Sequence, residues 1–160
     1  MFKKLLTTRS LCLSALIAAL YAALTILLAP ISYGHLQCRV SEAMTVLPIL
    51  LPQAIPGLFV GCLIANLYTG VITDILFGSL ATLLAAIFTY LLRRKPLLAA
   101  CCPVLANAVI VGMVLAGYYG YPLALAMGEV ALGEIVAVAL GMLLLLPAIR
   151  RSGLDLHRFN

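Results

Sequence analysis

The sequence predicts an all-α integral membrane bundle of six transmembrane helices, one of them short or broken, and three observations carry that prediction. Of the 160 residues, 65% are hydrophobic and 9% are charged, whereas soluble domains carry about a quarter charged residues. The charges are few enough to name: Lys3, Lys4, Arg9, Arg39, Glu42, Asp74, Arg93, Arg94, Lys95, Glu129, Glu134, Arg150, Arg151, Asp155 and Arg158. Between them lie long uncharged stretches, and a membrane helix needs only about 20 such residues. The basic residues gather mainly at three points, each beside an apolar run, so the net charge of +5 follows the positive-inside rule and does not point to nucleic acid.

The first span is 11–31. Lys3, Lys4 and Arg9 precede it as in a signal peptide, but the run is too long for a typical cleaved segment and is expected to be retained. Its alanines Ala15, Ala18, Ala19, Ala22 and Ala23 recur at helical spacing and form one small-residue stripe, which suits close approach by a partner helix or by a neighbour in the same bundle.

Next comes the one long polar stretch, Gly34-His35-Leu36-Gln37-Cys38-Arg39-Val40-Ser41-Glu42. It is expected outside the membrane as a lid or a solvated loop, with Arg39 and Glu42 paired on one helical turn and Ser41 capping the next segment. The following 43–92 stretch is broken by Pro48, Pro52, Pro56, Gly57, Gly70 and Asp74. If the N-terminus and Arg93–Arg94–Lys95 are both cytoplasmic, an even number of spans separates them, so this stretch holds three: 43–52, 56–72 and 74–92. The first is too short to cross alone and needs shielding by its neighbours. Spans 96–118 and 122–149 complete a single membrane domain over 1–160. Both termini are then cytoplasmic, with outer loops near 33–41, 70–73 and 118–121.

Charged groups in a bilayer cost about 2.5–3.5 kcal/mol each on insertion scales, so an intramembrane acid is a functional candidate. Glu129 and Glu134 sit in the near-repeat Gly128-Glu129-Val130-Ala131-Leu132 and Gly133-Glu134-Ile135-Val136-Ala137. Five residues turn a helix by about 140° net, so the two cannot face one pocket centre. Glu129, about 10 Å from the outer end against about 18 Å for Glu134, is the better placed for an outward-open site. Asn107, four residues after Pro103, and Asn66 suit either ligand amides or interhelical bonding. Tyr118, Tyr119 and Tyr121 suit an interfacial belt or a stacking surface for a planar ligand.

Other classes find little support. Cys12, Cys38, Cys62, Cys101 and Cys102 lack zinc spacing and read as packing residues, with no metal site. His35 and His157 fall outside the spans and no core serine has a nearby base, so no catalytic residues are assigned. A GxxxxGK[ST] motif is missing, so coupling to ATP requires a partner. The rival reading is an ion- or proton-coupled secondary transporter or channel, with Glu129, Glu134 and Asp74 as relays.

Three runs resemble a known family: 37–48 (QCRVSEAMTVLP), 55–66 (IPGLFVGCLIAN) and 74–83 (DILFGSLATL). They are similar to the QueT family of queuosine-precursor transporters, substrate-binding S components of energy-coupling factor importers. The resemblance implies a six-helix subunit of the bacterial cytoplasmic membrane that works with a transmembrane coupling protein and two ATPases. ATP would be used by those partners, with no cofactor in this chain. It implies docking on the coupling protein through the AxxxA residues Ala15, Ala19 and Ala23, and a 7-deazaguanine substrate such as prequeuosine, or queuine or queuosine. Glu129, Glu42 and Asp74 are then candidates for the guanine-like edge and Phe59 and Tyr121 for stacking, with Asn107, Asn66, Arg39 and Glu134 completing the candidate site.

Overall fold

The computed structural model describes residues 7–32 and 39–152. Expectations resting on Lys3, Lys4, His35, Gln37 and His157, and most of the outer loop 33–41, lie outside these residues. Among the described residues there are helices and no strands.

Helix α1 (Thr8–Leu27) starts where the Thr7 side chain accepts the Ser10 backbone N–H at 3.3 Å, a hydroxyl N-cap. A short turn, Ala29–Ser32, follows it. Helix α2 (Val40–Ile49) is wound as a 3-10 helix. Pro48 supplies no N–H there, and Thr45 returns its hydroxyl to the Glu42 carbonyl at 2.6 Å. Both features weaken an α-helical ladder. Ten residues at roughly 2 Å each reach about two thirds of a hydrocarbon core of about 30 Å. Nearly the whole element is buried, as a half-crossing segment in lipid must be.

Helix α3 (Ala54–Thr69) ends at Gly70, whose φ of +72° is left-handed and favours glycine. That stop comes earlier than the expected end at 72, so α3 is also short and two helices, rather than one, fall below spanning length. Helix α4 (Asp74–Leu91) opens with a π turn over Asp74–Gly78. Helix α5 (Pro96–Tyr119) places proline at its start, where no donor is lost, and stops at Gly120 with φ +69°. Helix α6 (Leu123–Arg151) carries a second π turn over Gly141–Leu145. α1, α4, α5 and α6 are long and apolar enough to cross a membrane.

The helices meet where side chains are smallest. A Cβ on Gly57 would lie 2.7 Å from the Ser14 carbonyl oxygen, and one on Gly61 would lie 2.8 Å from that of Ala18, so α1 and α3 touch backbone to backbone. Gly141 of α6 is likewise seated on the Ala43 carbonyl, which anchors α2 from the other side. Inside this frame Tyr21, Leu58, Ala54, Cys62 and Ala65 form the core. The outer surface is apolar instead, with Leu27, Leu105, Leu132 and Leu143 exposed as lipid-facing residues are.

Candidate functional site

The opening of α2 concentrates polar groups where the fold is otherwise apolar. A 3-10 helix repeats every three residues, so Arg39 at its N-cap and Glu42 stand one above the other. The Glu42 N–H donates to the Arg39 carbonyl at 2.9 Å, which fixes that register. Both side chains are buried, Arg39 at 8% exposure and Glu42 at 2%. The Tyr21 hydroxyl of α1 donates to Glu42 Oε1. On the opposite wall Asn107 of α5 donates from Nδ2 to Glu134 Oε1 of α6 at 2.7 Å, and Glu134 is 7% exposed.

Arg39, Glu42, Asn107 and Glu134 line one cleft, together with Val111 and Val130. Each valine lies four residues, one turn, from a polar partner on its own helix, Val111 from Asn107 and Val130 from Glu134. The valines make apolar walls for a polar end. Glu42 Oε2 and Glu134 Oε2 are buried with no hydrogen-bond partner among the described residues. A buried carboxylate oxygen left this way is costly, so the cleft is primed to receive donors. The Arg39 guanidinium acts electrostatically on both carboxylates. The cleft as it stands has room for about one water molecule, whereas clefts that hold small ligands run from about 300 Å³ upward, so its walls have to part to admit one.

The expected ranking of the two glutamates is reversed in place: Glu134 lines the cleft, while Glu129 is half-buried and outside its lining. Depth counted from the end of α6 missed this because α2 dips into the bundle and brings Glu42 level with Glu134. The same dip corrects the solvated-loop expectation for Arg39 and Glu42, which are buried. Ser41 does not cap α2; it accepts a hydrogen bond from the Thr25 hydroxyl of α1 at 2.7 Å.

Of the remaining candidates, Asn66 is fully buried and spends its Nδ2 on the Asp74 carbonyl at 2.9 Å and Ser79 Oγ at 3.3 Å, tying α3 to α4. Asp74 and Phe59 are half-buried and Tyr121 is exposed, all three outside the cleft lining. Tyr21, which reaches Glu42 from outside the cleft lining, is the residue that sequence reasoning passed over. A tyrosine inside an apolar span is the signal, because a buried phenol needs a partner.

The alanine stripe of α1 separates into two rows. Ala18 and Ala22 are buried, with Ala18 against Gly61, while Ala15, Ala19 and Ala23 are exposed on the outer side of the same helix. The outer row is free to meet another helix; the inner row is already used.

No group of three or more histidine, cysteine or acidic residues among those described is placed to hold a metal ion. Cys62 is buried and accepts from Thr82 Oγ1 at 3.3 Å, whereas Cys12 and Cys101 are exposed on the apolar surface.

A family model described as QueT transporter matches residues 11–150. A curated protein of Lactococcus lactis subsp. cremoris (strain MG1363), named Queuosine precursor transporter QueT, is 38% identical over 71 residues. That match spans 43% of this chain and 42% of the relative, about two fifths of each. No solved structure matches the chain.

Proposed function

We propose that this chain, which belongs to the QueT transporter family, is the substrate-binding subunit of an energy-coupling factor importer that takes up a queuosine precursor. The family is one of transporters, not enzymes, and with its long apolar helices the chain is a multi-pass membrane protein. The observation that carries the substrate reading is the cleft of Arg39, Glu42, Asn107 and Glu134, with two buried carboxylate oxygens unmatched. A 7-deazaguanine presents two adjacent N–H donors that one carboxylate accepts together, and a carbonyl oxygen that an amide or guanidinium N–H can donate to. Val111 and Val130 then cover the ring faces.

A coupling protein with two ATPases supplies the motor in this reading, since the chain has no phosphate-binding loop of its own. The exposed Ala15, Ala19 and Ala23 give α1 a small-residue face on which a partner helix can dock. The single domain keeps both termini and the Arg93–Lys95 turn cytoplasmic.

Native mass spectrometry of the purified chain with a panel of deazapurines and vitamins tests the substrate. A retained 7-deazaguanine supports it; retention of an unrelated vitamin, with none of the deazapurines, overturns it. Ala19→Leu tests the coupling. Binding by the isolated variant should match wild type, while co-purification with the coupling protein and uptake are lost. A variant that docks and imports normally would remove α1 from the interface.

A further inference from the structure

The end of the bundle formed by the α4–α5 turn and the last turn of α6 carries Arg93, Arg94, Lys95, Arg150 and Arg151, all exposed. The acids among the described residues lie elsewhere. Glu42 and Glu134 line the cleft, while Asp74 opens α4 and Glu129 belongs to the first two turns of α6, at the opposite ends of those helices. Arg93 is turned onto the Tyr90 ring, its guanidinium carbon 4.0 Å from the centroid.

The positive-inside rule accounts for the side of the membrane on which these charges fall but not for where they point. Ala99 of α5 and Leu146 of α6 share a buried cluster with Val46 and Ile49 of α2. Lys95 precedes Ala99 by one turn, and its carbonyl accepts the Ala99 N–H at 3.0 Å. Arg150 follows Leu146 by one turn, so each cation continues the row by which its helix faces that cluster. From the Asn107–Glu134 hydrogen bond, Lys95 lies about 18 Å down α5 and Arg150 about 24 Å along α6 at the helical rise. Side chains lean toward the N-terminus of their own helix, so Arg150 reaches back toward the bundle, Lys95 reaches out of it, and the two heads converge.

Two cations thus flank one notch with no acid beside it. Leucines border the same place: Leu91, Leu92, Leu97 and Leu98 are exposed on either side of the basic triplet, Leu97 at 78%, and Leu143 and Leu144 are exposed on α6 just before its basic end.

We propose that the notch between Lys95 and Arg150 holds the phosphate of an anionic phospholipid, whose acyl chains lie along the exposed leucines of α5 and α6. A free phosphate would use the cations alone, and a soluble protein would meet the cations without the leucines. A ligand with an anionic head and apolar tails uses both. The site is separate from the substrate cleft and from any coupling partner, and on the topology proposed above it lies in the cytoplasmic leaflet.

Native mass spectrometry of the full-length chain in a neutral detergent tests this, with dioleoylphosphatidylglycerol, dioleoylphosphatidylcholine and inorganic phosphate as probes. The anionic lipid should be retained at roughly tenfold lower concentration than the zwitterionic one, as expected for more than one basic residue at about fivefold each, and inorganic phosphate should not be retained. Lys95→Gln and Arg150→Gln should each weaken phosphatidylglycerol retention about fivefold, whereas Arg93→Gln, which removes the same charge, should stay within about twofold. Phosphatidylcholine retention should be unchanged in all three variants, which reports that they are folded.

Equal retention of the two lipids by wild type, or equal losses in all three variants, overturns the notch in favour of a diffuse charge effect. Retention of inorganic phosphate by itself makes the place a free-anion site and overturns the lipid. If Lys95→Gln and Arg150→Gln hold phosphatidylglycerol as wild type does but no longer co-purify with an ATPase, the face docks protein and the proposal falls.

Discussion

The contact between α1 and α3 and the cleft between α2, α5 and α6 solve opposite problems with neighbouring residues. At the first, Gly57 and Gly61 bring two backbones so close that there is no room for a methyl group. At the second, four polar side chains converge on a small cleft and two carboxylate oxygens stay unmatched. Helices in lipid gain nothing from hiding apolar surface from one another, since lipid is as apolar as leucine, so close packing must hold them together. The difference teaches that the tight contact carries the stability that lets the cleft remain polar and open. Tyr21 joins the two, with its Cβ beside Gly61 and its hydroxyl on Glu42.

The largest expected effect therefore lies at the tight contact. In Gly61→Ala the new methyl would stand 2.8 Å from the Ala18 carbonyl oxygen and 2.9 Å from Tyr21 Cβ, and the backbone atom cannot swing away as a side chain could. We expect a loss of about 1–3 kcal/mol, the usual cost of overpacking, read as a lower unfolding midpoint in detergent. Ligand affinity should fall with it, because α1 carries Tyr21 outward. A variant as stable as wild type would show that the two helices slide freely and that the contact is not the frame of the bundle.

Tyr21→Phe sharpens the comparison, because it keeps the ring against α3 and removes only the hydroxyl that reaches the cleft. Glu42 Oε1 then loses its donor, and affinity should weaken by about 1.5–3 kcal/mol while the unfolding midpoint moves far less than in Gly61→Ala. If the midpoint falls equally in both variants and affinity is unchanged, Tyr21 belongs to the tight contact alone.

Much of the fold could be read along the chain, because span length, basic clusters and glycine stops act locally. The positions of α1, α4, α5 and α6, and the shortness of 43–52, follow from apolar runs and their interruptions. The early end of α3 hung on one left-handed glycine, Gly70, and the π turn of α6 begins at Gly141, which is seated on the Ala43 carbonyl, a tertiary contact that local sequence does not reveal. The cleft was half legible. Residue type singled out Asn107 and Glu134, since acids and amides in a bilayer are rare enough to notice, whereas Arg39 and Glu42, expected in an outer loop, became candidates through the family resemblance. Type alone could not separate them from Asn66, whose amide nitrogen is spent between α3 and α4. The stripe of alanines shows the same limit, because spacing identifies a small-residue face without saying which row is already covered.

The smallest effect should come from the residue that sequence reasoning ranked highest. Glu129 lies five residues before Glu134, about 140° around α6, so the face that carries Glu134 into the cleft turns Glu129 away from it. It is half-buried, where Glu134 is 7% exposed. Glu129→Gln keeps the shape and removes one charge, and no residue of the cleft lining has to move. Affinity should stay within about twofold of wild type and stability within about 0.5 kcal/mol, as for substitutions away from buried networks. Calorimetry of Glu129→Gln beside Glu134→Gln, with one 7-deazaguanine, makes the contrast direct. If Glu129→Gln loses tenfold or more while Glu134→Gln binds as wild type does, the ligand lies on the other face of α6. The cleft would then be a structural polar cluster like the one around Asn66.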